Sequence, residues 1–194
     1  MNKQHVVGWV FSLGVFSALG ACSSSSALVE QTVAEEQQQP PQERAWLQQL
    51  VGAWEVTTSA EMGPGTKPME MKGSESVSWF GDLWVVGDGS VSLDGQEFQS
   101  CLTLGYDERQ EAFVGTWVDT LQSHLWVYRG ELDEGGKVLS LLAEGPSFTE
   151  PDATATYRDS IEIVSPDHRV LRSAVEGADG EWTQFMEAHY RRKR

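Results

Sequence analysis

The densest run of chemically capable side chains lies between Val114 and Leu132, with Phe113 just before it. If this stretch is a β-hairpin, strand alternation puts Phe113, Gly115, Trp117 and Asp119 on one face, with His124, Trp126 and Tyr128 on one face of the next strand. Turned inward, these residues surround one space with two indoles, an imidazole, a phenol and a carboxylate, and Trp84 adds a further wall. Apolar walls with a few fixed polar groups are the character of a small-molecule site, with His124 and Asp119 as the polar contacts. The same aromatics suit an interior they simply fill, with His124 a satisfied core or rim histidine. Small barrels occur in both forms.

Catalysis finds less support than binding. The sequence holds no G-x-S-x-G elbow, no H-E-x-x-H and no Walker loop. His124 with Asp119 would make a base and its orienter, but no nucleophile completes a triad, and Ser123 would point to the opposite face from His124. His124, His168 and His189 are too scattered for a zinc site. No motif calls for a cofactor.

What must position the aromatics is a set of strands. Turn signals such as Asp88-Gly89, Asp94-Gly95, Gly135-Gly136 and Asp179-Gly180, with Gly63-Pro64-Gly65 near the start, separate runs of period-2 alternation. They predict strands over 53–61, 69–80, 83–93, 96–105, 111–119, 123–132, 137–143, 155–164, 169–176 and 181–191. Strands linked by hairpin-length turns in chain order predict an all-β, antiparallel up-and-down barrel of about ten strands, because such a sheet closes without a crossover. The one helix signal runs from Pro41 to Val51, where Trp46, Leu47, Leu50 and Val51 share a face and Gly52 ends it.

Gly52-Ala53-Trp54, following that helix and opening the first strand, resembles the Gly-X-Trp start of lipocalin-type (calycin) barrels. The resemblance implies that Trp54 closes one end and that a basic residue of the last strand packs over it; Arg191 and Arg192 are the candidates. Leu50-Val51-Gly52-Ala53-Trp54, Leu102 to Asp107, Phe113-Val114-Gly115-Thr116-Trp117, His124-Leu125-Trp126 and Ala188 to Arg192 follow in order. Together they resemble the bacterial family called domain of unknown function fifteen seventy-nine, a calycin-like barrel, over about residues 45–193. The resemblance implies a fold and brings no activity. Haem-binding barrels of the related nitrobindin type use a histidine as proximal ligand, which makes His189, or His124, the haem candidate; the plainer reading of His189 is an interior or rim histidine bonded to a neighbour.

The remaining sequence gives an address. The uncharged run Val6–Leu19 is too short to span a bilayer and suits the core of an export signal. Leu19-Gly20-Ala21-Cys22 resembles the bacterial lipobox, which implies cleavage before Cys22 and its lipidation. Ser23 after the cysteine favours the outer membrane, on its periplasmic side. The organisation expected is a lipoprotein signal peptide over 1–21, lipidated Cys22 with a disordered tether over 22–44, and the barrel over 45–194. From Ser23 to Glu43 the chain is Ser-, Gln-, Glu- and Pro-rich without an aromatic, too polar to bury a core. With 14 Lys+Arg against 29 Asp+Glu and a net charge of -15, nucleic acid is excluded as a partner. The partners expected are the membrane through the Cys22 lipid, a small hydrophobic ligand and an envelope protein. Cys101 is left as a lone thiol, expected to be buried and inert.

Overall fold

The computed structural model describes residues 41–61 and 67–194. The stretches expected to be signal peptide and tether, up to residue 40 and with Cys22 among them, and the Gly63-Pro64-Gly65 turn lie outside the described residues. Helix α1, Gln42–Gln48, begins inside the stretch assigned above to the tether. Pro41 precedes it with φ -47°, and its carbonyl accepts the Ala45 N–H at 3.0 Å, so proline's fixed φ sits where no N–H is needed. The amphipathic face expected of α1 is present: Trp46, Leu47 and Leu50 are all buried.

Ten strands follow: β1 Gly52–Ala60, β2 Met69–Phe80, β3 Trp84–Leu93, β4 Gln96–Asp107, β5 Ala112–Asp119, β6 Trp126–Leu132, β7 Val138–Pro146, β8 Thr154–Ser165, β9 His168–Glu176 and β10 Trp182–Arg192. Each pairs antiparallel with its chain neighbours, and β1 pairs with β10 from Trp54↔Arg192 to Ala60↔Met186, closing the barrel. Closure removes every sheet edge, so no backbone ladder is left open. The β10 ladder shifts register between Gln184 and Met186, which puts Phe185 as well as Met186 and Ala188 on the inner wall. Strict alternation would put Phe185 on the face of His189.

At the α1 end the barrel is filled. Trp46 and Leu47 from the helix and Leu50 from the turn after it meet Trp54, Val85, Leu104, Phe113 and Leu139, all close to fully buried. Trp46 and Phe113 meet edge to face at 5.8 Å, and Trp54 Nε1 donates to the Leu50 carbonyl at 2.8 Å. Arg192 lies 4.2 Å from the Trp54 ring and donates to the carbonyls of Val51, Gln49 and Pro166. Gly52, at φ +135°, leaves its Cβ position to that guanidinium; any side chain there would meet Arg192. The Gly-X-Trp start and the terminal arginine are thus one physical unit. Of the two arginines proposed, Arg192 forms this seam and Arg191 does not: one residue earlier on the strand, it points to the other face and is exposed.

Candidate functional site

Beyond that packed end the barrel is hollow. A cavity of about 550 Å³ occupies the lumen, within the range of small-molecule sites. Its walls toward the far end are apolar: Met69, Met71, Val91, Leu93, Phe98, Trp117, Trp126, Phe148, Tyr157, Phe185 and Met186. Trp117 and Trp126 sit opposite each other in the β5–β6 register, as hairpin alternation requires. The Trp126 ring lies against Gly145, where a Cβ would collide with it. From Trp126 an edge-to-face series runs through Tyr157 at 5.0 Å to Phe148 at 5.2 Å and Phe185 at 5.5 Å. At the rim Leu121 is 63% and Phe148 46% exposed, both on loops that connect strands.

The deep end is polar. Arg169 on β9 is 3% exposed, bonded to Glu75 of β2, and packed 4.2 Å from the Tyr190 ring and 4.8 Å from the Trp54 ring. Further toward the mouth, opposite Ser173 of β9, Asp159 of β8 accepts the hydroxyls of Tyr128 and Ser173 at 2.5 Å each. Burial holds the Asp159 carboxyl above the usual carboxylate range, against the two hydrogen bonds, which pull it down. Burial likewise raises Tyr128, reinforced by Asp159, and Tyr190, reinforced by Glu75. Two buried donors at the lumen wall have no partner among the described residues: Arg169 Nε and Trp126 Nε1.

The structure gathers Trp117, Asp119, Trp126 and Tyr128 around this cavity and leaves out Trp84 and His124. Trp84 takes the outward register of β3, 37% exposed, with its ring over Gly105. His124 precedes β6; its Nε2 contacts the Glu144 carbonyl at 3.1 Å and its ring packs on Trp126 at 4.9 Å, behind the cavity wall. Asp119 lines the rim but spends Oδ1 on the N–H groups of Leu121 and Gln122, so it shapes the loop and does not orient His124. His189 is on the outer surface: its Nδ1 contacts His168 Nε2 at 3.0 Å and its Nε2 contacts Glu187 at 3.0 Å. With both ring nitrogens so engaged and no approach to the lumen, it does not fit an axial ligand. Among the described residues no cluster of three or more His, Cys, Asp and Glu could hold a metal.

Arg169, Glu75, Asp159, Ser173 and Tyr190 were missed by sequence reasoning. β9 carries apolar residues at both parities, Val170 and Leu171 alike, so no alternation marks Arg169 as inward. Cys101, expected to be buried, is half-buried on the outer side of β4; burial and then Asp88 push its thiol up, which keeps it protonated. It borders a shallow groove of about 520 Å³ across β1–β5, lined mainly by serines and other small or polar residues and lacking the apolar walls of the lumen.

The family described as "Protein of unknown function (DUF1579)" matches residues 39–192. Among solved structures, Rv2717c from M. tuberculosis is similar at 16% identity and a TM-score of 0.57, covering 80% of this chain and 99% of that one. The S-type phycobiliprotein lyase CPES from Guillardia theta is similar at 16% identity and a TM-score of 0.50, covering 77% of this chain and 92% of that one. At such identity the likeness is one of fold: a calycin-like barrel. No curated protein matches the chain.

Proposed function

We propose a binding role for this chain, which belongs to the DUF1579 family of proteins of unknown function: it holds a small apolar or amphipathic molecule in the barrel lumen without transforming it. The observation that carries this reading is the cavity of about 550 Å³, apolar over most of its wall and polar at its inner end. Trp117, Trp126 and Tyr128 are the contact residues, with Asp119 at the rim holding the β5–β6 loop in shape. A purely structural barrel would gain stability by filling this space, since an unfilled interior forfeits packing contacts.

The site is proposed to work near a membrane. The lipobox-like Leu19-Gly20-Ala21-Cys22 and the polar stretch after it support a lipoprotein held through Cys22, at the periplasmic face of the outer membrane.

Native mass spectrometry of the protein purified from its own host tests the binding role. A reproducible adduct lost on denaturation is the expected result; a uniformly ligand-free mass, with no uptake of added amphipaths, contradicts it. Labelled palmitate should enter the wild-type chain and not Cys22→Ala, and equal labelling of both would remove the anchor from this account.

A further inference from the structure

The lumen has a direction. Its mouth carries Leu121 and Phe148, exposed and apolar, whereas its inner end carries Arg169, Glu75 and Tyr190, with Asp159 on the wall between. Register sets the levels: Tyr190 stands opposite Arg169 and Glu75 opposite Trp54 of the packed end, while Asp159 stands opposite Ser173, four residues further along β9 and level with Met186. An amphipath that entered tail-first would leave these buried groups facing hydrocarbon, which is costly for any polar group without a partner.

The free valences at the inner end are donors. Arg169 gives one N–H to Glu75, yet its Nε is buried without a partner, as is Trp126 Nε1 higher on the wall. A head group must therefore offer acceptor oxygens, which an alkylammonium lacks. It must also suit the charges. Glu75 already neutralises Arg169, and Asp159 puts a second carboxyl on the lumen wall, nearer the mouth. A ligand carboxylate would bring a further negative charge into a space with one cation, already paired.

We propose that the lumen takes its ligand head-first and selects an uncharged, oxygen-bearing head group, a hydroxyl or ester, over a carboxylate on the same tail. This rests on the binding role above and names the ligand class for it. By volume, 550 Å³ corresponds to roughly 18 non-hydrogen atoms at the ~30 Å³ that liquid water allots to each of its molecules. A medium-chain monoacylglycerol matches that size and chemistry.

The test is competition on the full chain. N-phenyl-1-naphthylamine, an uncharged fluorescent probe, is bound first, then displaced near neutral pH by monolauroylglycerol, laurate or dodecylamine below their micelle concentrations. Monolauroylglycerol is expected to displace the probe at concentrations about tenfold or more below those of laurate or dodecylamine, the size of one unfavourable buried-charge contact. Glu75→Gln frees Arg169 and is expected to raise laurate affinity until the preference vanishes or reverses. Should that variant fold poorly, Asp159→Asn removes an ionisable carboxyl from the same lumen wall and is expected to shift laurate in the same direction. Laurate or dodecylamine binding as well as monolauroylglycerol to the wild-type chain overturns the selection. Laurate affinity unmoved in a folded Glu75→Gln or Asp159→Asn overturns its cause. Failure of the probe itself to bind overturns instead the binding role beneath it.

Discussion

The two ends of this barrel are built from the same ten strands and have opposite interiors. At the α1 end, Trp46, Leu47 and Leu50 drive into a layer of Trp54, Val85, Leu104, Phe113 and Leu139. At the other end no helix enters, the inward residues are thioethers and aromatics around empty space, and Leu121 and Phe148 stand exposed at the rim. Between them lies the Arg169–Glu75 pair, with Arg169 packed against Trp54 of the filled end while also lining the cavity. The difference teaches that "filled or hollow" is a question for each layer of the barrel. Stability is concentrated where the helix plugs it, which frees the far half to leave a space that packing forces alone would close.

Substitutions should separate the halves. Phe113→Ala, in the plugged layer, should cost about 3–5 kcal/mol, read by denaturant unfolding; a loss under about 1 kcal/mol would mean that this layer does not carry the stability. Arg192→Ala, which loses three carbonyl partners and its place on Trp54, should cost about 2 kcal/mol, while Arg191→Ala should stay within about 0.5. Equal losses for the two would dissolve the seam assigned to Arg192.

At the boundary between the halves the effect depends on pH. The folded chain raises the Asp159 carboxyl, so it binds a proton more readily than the unfolded chain does. The Asp159 contribution is most favourable below the unfolded carboxyl pKa of about 3.9 and is lost as pH rises through the higher folded value. Asp159→Asn should therefore gain in melting temperature relative to wild type between acid and neutral pH, and a flat difference would show that the carboxyl is not strained by burial. In the hollow half, where Thr58 of β1 lines the lumen, even an enlarged side chain should change stability little. Thr58→Phe, which inserts a ring into open space, should alter stability by no more than about 1 kcal/mol, where the same enlargement in the plugged layer would cost ~1–3.

The architecture is almost wholly legible in the sequence, because hairpin turns and period-2 alternation are local signals. Trp117, Trp126 and Tyr128 face the lumen as alternation required. His124 escaped the rule because the loop organised by Asp119 delays β6 until Trp126, so no strand parity applies to it. Trp84 turned outward onto Gly105, a packing partner that only the β3–β4 register reveals. Phe185 turned inward through a bulge, which a single extra residue creates without a strong sequence mark. The polar inner end was the least legible part. Charged residues are ordinarily at the surface, and the burial of Arg169 depends on Glu75, which is 94 residues away in the chain.

The account stands most directly on one titration: N-phenyl-1-naphthylamine into the wild-type full chain and into Thr58→Phe, both shown folded by their melting curves. It predicts saturable one-to-one binding with a blue-shifted emission in the wild type, weakened about tenfold or more when the phenyl ring occupies the lumen. Binding of equal strength to both proteins, or none to either, would contradict it.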